Sequence, residues 1–72
     1  MDDLDVYEEN IIAILGKYGK LSGREIYDKI LEGNPKVSRS IVMLKLMHLL
    51  ELGYLDLTQG IDDEPTLFSI GK

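Results

Sequence analysis

The sequence predicts a mainly α domain with a small antiparallel β-sheet, in the order helix, short strand, helix, helix, β-hairpin. Three observations carry that expectation. An apolar stripe at helical spacing runs along the amino-terminal segment, a Ser-Gly-Arg-Glu capping box opens a second helix, and the apolar period changes to two after Gly53.

In the first helix, Leu4, Tyr7, Ile11, Ile14, Leu15 and Tyr18 fall on one stripe. Asp5, Glu8 and Glu9 put negative charge at the positive end of the helix dipole, Lys17 and Lys20 sit at the negative end, and Gly19 suits the C′ position. Gly16, in the last turn, costs about 1 kcal/mol against alanine, which implies close packing or early fraying there. Lys20 and Leu21 suit a very short strand. Ser22-Gly23-Arg24-Glu25 then caps a second helix with Ile26, Ile30 and Leu31 inward and Tyr27 on its flank. Gly33-Asn34-Pro35 ends it, because proline cannot continue the ladder and restricts the residue before it. The third helix starts at Ser38 as N-cap and runs to Leu52, with Gly53 at C′. Tyr54 to Thr58 and Thr66 to Ile70 alternate with period two around a glycine-containing loop, the pattern of a hairpin.

Seventy-two residues make one domain, 1–72, and a chain of this size buries only about 60% of its unfolded surface. The absence of cysteine excludes a disulfide framework and a thiolate nucleophile. The acidic start, MDDLDVYEEN, lacks the positive region of a signal peptide, and the apolar runs fall far short of a membrane span, so a soluble, cytoplasmic protein is expected. Net charge is −5: residues 1–10 hold −5, residues 11–21 hold +2, residues 22–36 balance, residues 37–53 hold +1 and residues 54–72 hold −3. No segment is a strong polycation. The chain has no Ser/His/Asp or Cys/His arrangement, no phosphate-binding loop and no dinucleotide turn, so neither an enzyme nor a cofactor is expected. His48 with Glu51 lacks a second ligand pair for a metal, and Asp62-Asp63-Glu64 lacks the spacing of a calcium loop.

Ser22-Gly23-Arg24-Glu25-Ile26, Val37-Ser38-Arg39-Ser40-Ile41-Val42 and Leu49-Leu50-Glu51-Leu52-Gly53-Tyr54-Leu55, in this order of elements, resemble the winged helix-turn-helix superfamily over nearly the whole chain. The last phrase is similar to the helix exit of small PadR-like and penicillinase-repressor-like regulators. The resemblance implies a regulator of transcription that binds duplex DNA as a homodimer, with its third helix toward the major groove. Arg39, Ser40 and Lys45 would then approach bases or nearby phosphates, while Arg24, Lys17 and Lys20 hold the backbone and Ser38 opens a helix end with free N–H donors. Lys36 is a further candidate for the phosphate-contacting set.

The third helix carries a second reading. Nine of the twelve residues from Ile41 to Leu52 are apolar, and the wing tip, Gly60 to Pro65, is acidic where DNA-binding wings usually carry arginine or lysine. If Val42, Leu46, Leu49 and Gly53 face the core, the opposite face presents Ser40, Ile41, Leu44, Met47, His48 and Glu51. An alternative core stripe centres on Met43, Met47 and Leu50. A protein-interaction module using Ile41, Leu44, Met47 and Leu50, an adaptor or an inhibitor, is therefore the alternative to a DNA-binding regulator.

Overall fold

Each helix starts where the sequence supplies an oxygen for its free N–H groups. A computed structural model describes residues 4–71. Helix α1 (Val6–Tyr18) is capped by Asp5, whose Oδ1 accepts from Glu8 N at 2.8 Å while Glu8 Oε1 accepts from Asp5 N at 3.1 Å. Strand β1 (Leu21–Ser22) leads directly into helix α2 (Gly23–Gly33), so Ser22 is at once a strand residue and the N-cap. Its Oγ accepts from Glu25 N at 3.2 Å, and Glu25 Oε1 accepts from Ser22 N at 2.9 Å. Helix α3 (Arg39–Leu52) begins with Ser38 Oγ accepting from Ile41 N at 3.2 Å.

Helix α3 ends in a Schellman motif. Gly53, at φ +88°, sends its N–H to Leu50 O at 3.1 Å, and Tyr54 N reaches Leu49 O at 3.0 Å. The left-handed Gly53 turns the chain into β2 (Leu55–Thr58), which pairs with β3 (Leu67–Ile70). The sheet is antiparallel in the order β1-β3-β2, with Leu21 opposite Phe68 and Leu57 opposite Phe68 on its other side. The third strand therefore closes the domain by joining the hairpin to the strand before α2.

Ile11, Leu15, Ile26, Ile30, Val37, Val42, Leu46, Leu49, Leu55 and Phe68 form one core, drawn from all three helices and the sheet. Three sequence expectations change. Tyr18 is half exposed and off the buried stripe, its ring lying against the ammonium of Lys29 of α2 and not in the core. Gly16 is not packed, since a Cβ there would meet nothing within 4 Å, and the helix continues through Tyr18. On α3, Val42, Leu46 and Leu49 are 0% exposed, whereas Met43 and Met47 face outward, so the stripe centred on Met43, Met47 and Leu50 is not the core. Among the described residues, no helix is long and apolar enough to cross a membrane.

Candidate nucleic-acid interface

The amino ends of α2 and α3 and the base of the wing meet at one open groove of about 740 Å³. Arg24 comes from the first turn of α2 and Arg39 is the first residue of α3. Ser22, Gly23, Met43, Pro65, Thr66 and Phe68 complete the groove's lining. The Arg39 guanidinium carbon lies 5.6 Å from the centroid of the Tyr27 ring, a cation–π contact that restricts its position. Neither arginine is ion-paired among the described residues. The first turns of α2 and α3 also carry backbone N–H groups without a helical acceptor, so peptide dipoles lie beside the two guanidinium charges.

The exposed face of α3 runs out from this groove. Ser40 and Glu51 are exposed, Leu44 is 66% exposed and Met47 60%, with Met43 at 41% on the flank toward the arginines. Ile41 and Leu50, expected on an apolar interaction face, are instead half buried and packed against the core. They lie to either side of the Val42-Leu46-Leu49 stripe, where α1, α2 and the sheet cover them. The free apolar face is therefore Met43, Leu44 and Met47.

The expected cationic set is divided. Lys45 projects to the other flank of α3 and is ion-paired with Asp5, the N-cap of α1. The Asp5 hydrogen bond and charge hold the Lys45 ammonium above its ordinary value against a smaller opposing effect of burial. Burial pushes the Asp5 carboxyl up, but the Lys45 ammonium and the backbone N–H of Glu8 outweigh it and hold Asp5 below the usual carboxylate range. Lys45 thus faces α1 and not the groove, because it lies on the side of α3 that packs there. His48 likewise turns to α1, donating from Nδ1 to Glu8 Oε2, and its partner is Glu8 and not Glu51. Lys17 lies with Lys29 around the exposed Tyr18 ring, their Nζ atoms 5.4 and 4.1 Å from its centroid. That cluster lines a separate depression with Glu32, away from the residues of the arginine groove. Lys20 and Lys36 are exposed, and Ser38 is exposed with its Oγ engaged in capping.

Sequence reasoning missed Glu8 as a buried group and Lys29 as a member of the Tyr18 cluster. For Glu8 a signal exists: Asp5-x-x-Glu8 has capping-box spacing, the same as Ser22-x-x-Glu25. At the wing tip, Asp62 takes φ +61°, Glu64 N bonds Ile61 O at 3.2 Å, and the three acids point into solvent.

No protein-family model matches the sequence, and no curated protein does. Two solved structures are similar to the chain. One is the Campylobacter jejuni peroxide stress regulator, with TM-score 0.81 and 22% identity, covering 89% of this chain and 47% of that one. The other is the Helicobacter pylori ferric uptake regulator Fur, whose structure reveals three functional metal-binding sites. It has TM-score 0.84 and 20% identity, covering 94% of this chain and 45% of that one. The chain spans about half the length of each. At this identity the likeness is one of fold alone, and it does not single out the PadR or penicillinase-repressor kinds.

Proposed function

We propose that the chain is a winged-helix regulator of transcription that binds duplex DNA as a homodimer, with α3 toward the major groove. The observation that carries this reading is the pair Arg24 and Arg39, unpaired among the described residues, at the shared amino ends of α2 and α3 beside the wing. In this arrangement Arg24 and the α2 end hold a phosphate, and Arg39 and Ser40 reach the groove edge and its flanking phosphate. Lys20, just before β1, extends the phosphate contacts along the backbone and Ser38 fixes the start of α3, whereas Lys17, held at the Tyr18 ring in a separate depression, takes no part. Lys45 has no part in it, since its ammonium is committed to Asp5. The likeness in fold to two regulators adds support by analogy. Self-association is supported by the half-exposed apolar side chains of Leu52, Leu57 and Ile70, and by how few cations one copy presents.

The test is a duplex titration followed by fluorescence anisotropy at two salt concentrations, with sedimentation of the free chain. Arg24→Ala with Arg39→Ala is expected to weaken binding and to reduce the slope of log K against log salt by about 0.9 for each phosphate left unneutralised. Lys45→Gln should leave the slope alone. Unchanged affinity and slope in the double arginine variant would overturn the mechanism.

A second reading is favoured by the exposure of Leu44 and Met47, which suits a protein partner. On that reading Leu44→Asp with Met47→Asp abolishes binding to that partner, and no duplex binds at either salt concentration.

A further inference from the structure

We propose that the apolar face of α3 reads the methyl groups of thymine in the major groove. This rests on the DNA-binding reading above and names the sequence class that the same surface selects. Helix α3 presents Ser40, Met43, Leu44 and Met47 along its first two and a half turns. None of these is an amide or guanidinium able to form the two-point hydrogen bonds by which side chains usually distinguish guanine or adenine. Arg39, the nearest guanidinium, lies against Tyr27 and lines the groove at the flank.

The major-groove edges of the bases display one apolar group, the C5 methyl of thymine; the rest are hydrogen-bond donors and acceptors. Leu44 and Met47 pressed against a cytosine amino group would take water from that donor and return nothing. Against a thymine methyl they bury carbon on carbon. The length fits as well. From Ser40 to Met47 the helix rises about 10 Å at ~1.5 Å per residue. This matches about three base-pair steps of ~3.4 Å.

Charge supports duplex DNA as the occupant of this face. Met43 shares its groove with Arg24 and Arg39, so cations for the phosphates border the amino-terminal end of the face. Lys45 and His48, on the far flank, are turned to Asp5 and Glu8 of α1 and leave the apolar residues to meet the bases. The unbranched methionines can follow the irregular line of methyls along a groove.

The experiment compares two A·T-rich duplexes, identical except that one carries 2′-deoxyuridine in place of thymine on both strands. The full chain is titrated with each at one fixed salt concentration. Loss of one buried methyl corresponds to about a fourfold loss of affinity. The uracil duplex is therefore expected to bind at least about fourfold more weakly. Leu44→Ala with Met47→Ala should erase the difference, while Arg24→Ala weakens both duplexes by the same factor. Leu44 and Met47 lie outside the core, and circular dichroism of the variant verifies its fold. Equal binding of thymine and uracil duplexes by the unaltered chain overturns the inference and leaves DNA binding standing. Absence of binding to either duplex overturns both. Self-association of the free chain that is lost in Leu44→Asp with Met47→Asp assigns the face to protein and overturns the inference.

Discussion

His48 on α3 donates from Nδ1 to the carboxylate of Glu8, which is 3% exposed in the first turn of α1. The other oxygen of the same carboxylate accepts from Asp5 N, so one side chain closes the helix cap and crosses to α3. One turn away, Asp5 does the same: Oδ1 serves Glu8 N and Oδ2 meets Lys45. Residues spaced three apart on one helix thus meet residues spaced three apart on another, and the two caps of α1 become a clasp on α3.

His48→Ala leaves a buried carboxylate oxygen of Glu8 without its partner. The expected loss of stability is about 1–3 kcal/mol, the cost of an unsatisfied buried polar group. Glu51→Ala, on the exposed face, should change stability by less than about 0.5 kcal/mol. Urea denaturation of the two variants checks the contrast, and equal effects would show that the clasp contributes nothing.

The Asp5–Lys45 pair gives stability a defined pH window. Asp5 is held below its ordinary value of 3.8, so its contribution is present above that value and is lost as pH falls through the lowered one. Lys45 is raised above 10.5, so its contribution is present below that value and is lost as pH rises through the raised one. The pair stabilises the fold between these limits. Both side chains are partly exposed, so added salt should weaken the effect. Melting temperatures of the native chain and Lys45→Met, measured from pH 2 to 7, should converge toward the acid end.

Leu46→Ala and Leu44→Ala separate the two sides of α3. Leu46 is 0% exposed, and its truncation is expected to cost about 2–5 kcal/mol, which threatens folding in a domain this small. Leu44, at 66% exposed, should change stability by about 0.5 kcal/mol or less. Similar losses at both positions, measured in urea, would mean that the helix is packed on a different stripe.

Two glycines make opposite predictions. A Cβ at Gly16 meets nothing within 4 Å in a helical backbone, so Gly16→Ala is expected to stabilise by about 0.5–1 kcal/mol. A Cβ at Gly60 would lie 2.1 Å from Glu64 O, so Gly60→Ala must displace the wing loop. Thermal denaturation checks the first. Hydrogen exchange confined to the hairpin checks the second.

The sequence by itself determined the order of elements, their caps and the change of period at Gly53. These signals act within a few residues: a serine three positions before a glutamate, a proline after an asparagine, a glycine that can enter the left-handed region. It also marked Arg24, Arg39 and Ser40, which stay where the ends of α2 and α3 put them. The tertiary structure decided which cations remain free and which apolar residues face out. Lys45 and His48 find their partners forty residues away on α1, a separation no local pattern encodes. On a helix apolar nearly all round, several stripes could face inward. The packing of α1, α2 and the sheet against Val42, Leu46 and Leu49 left Leu44 and Met47 outside.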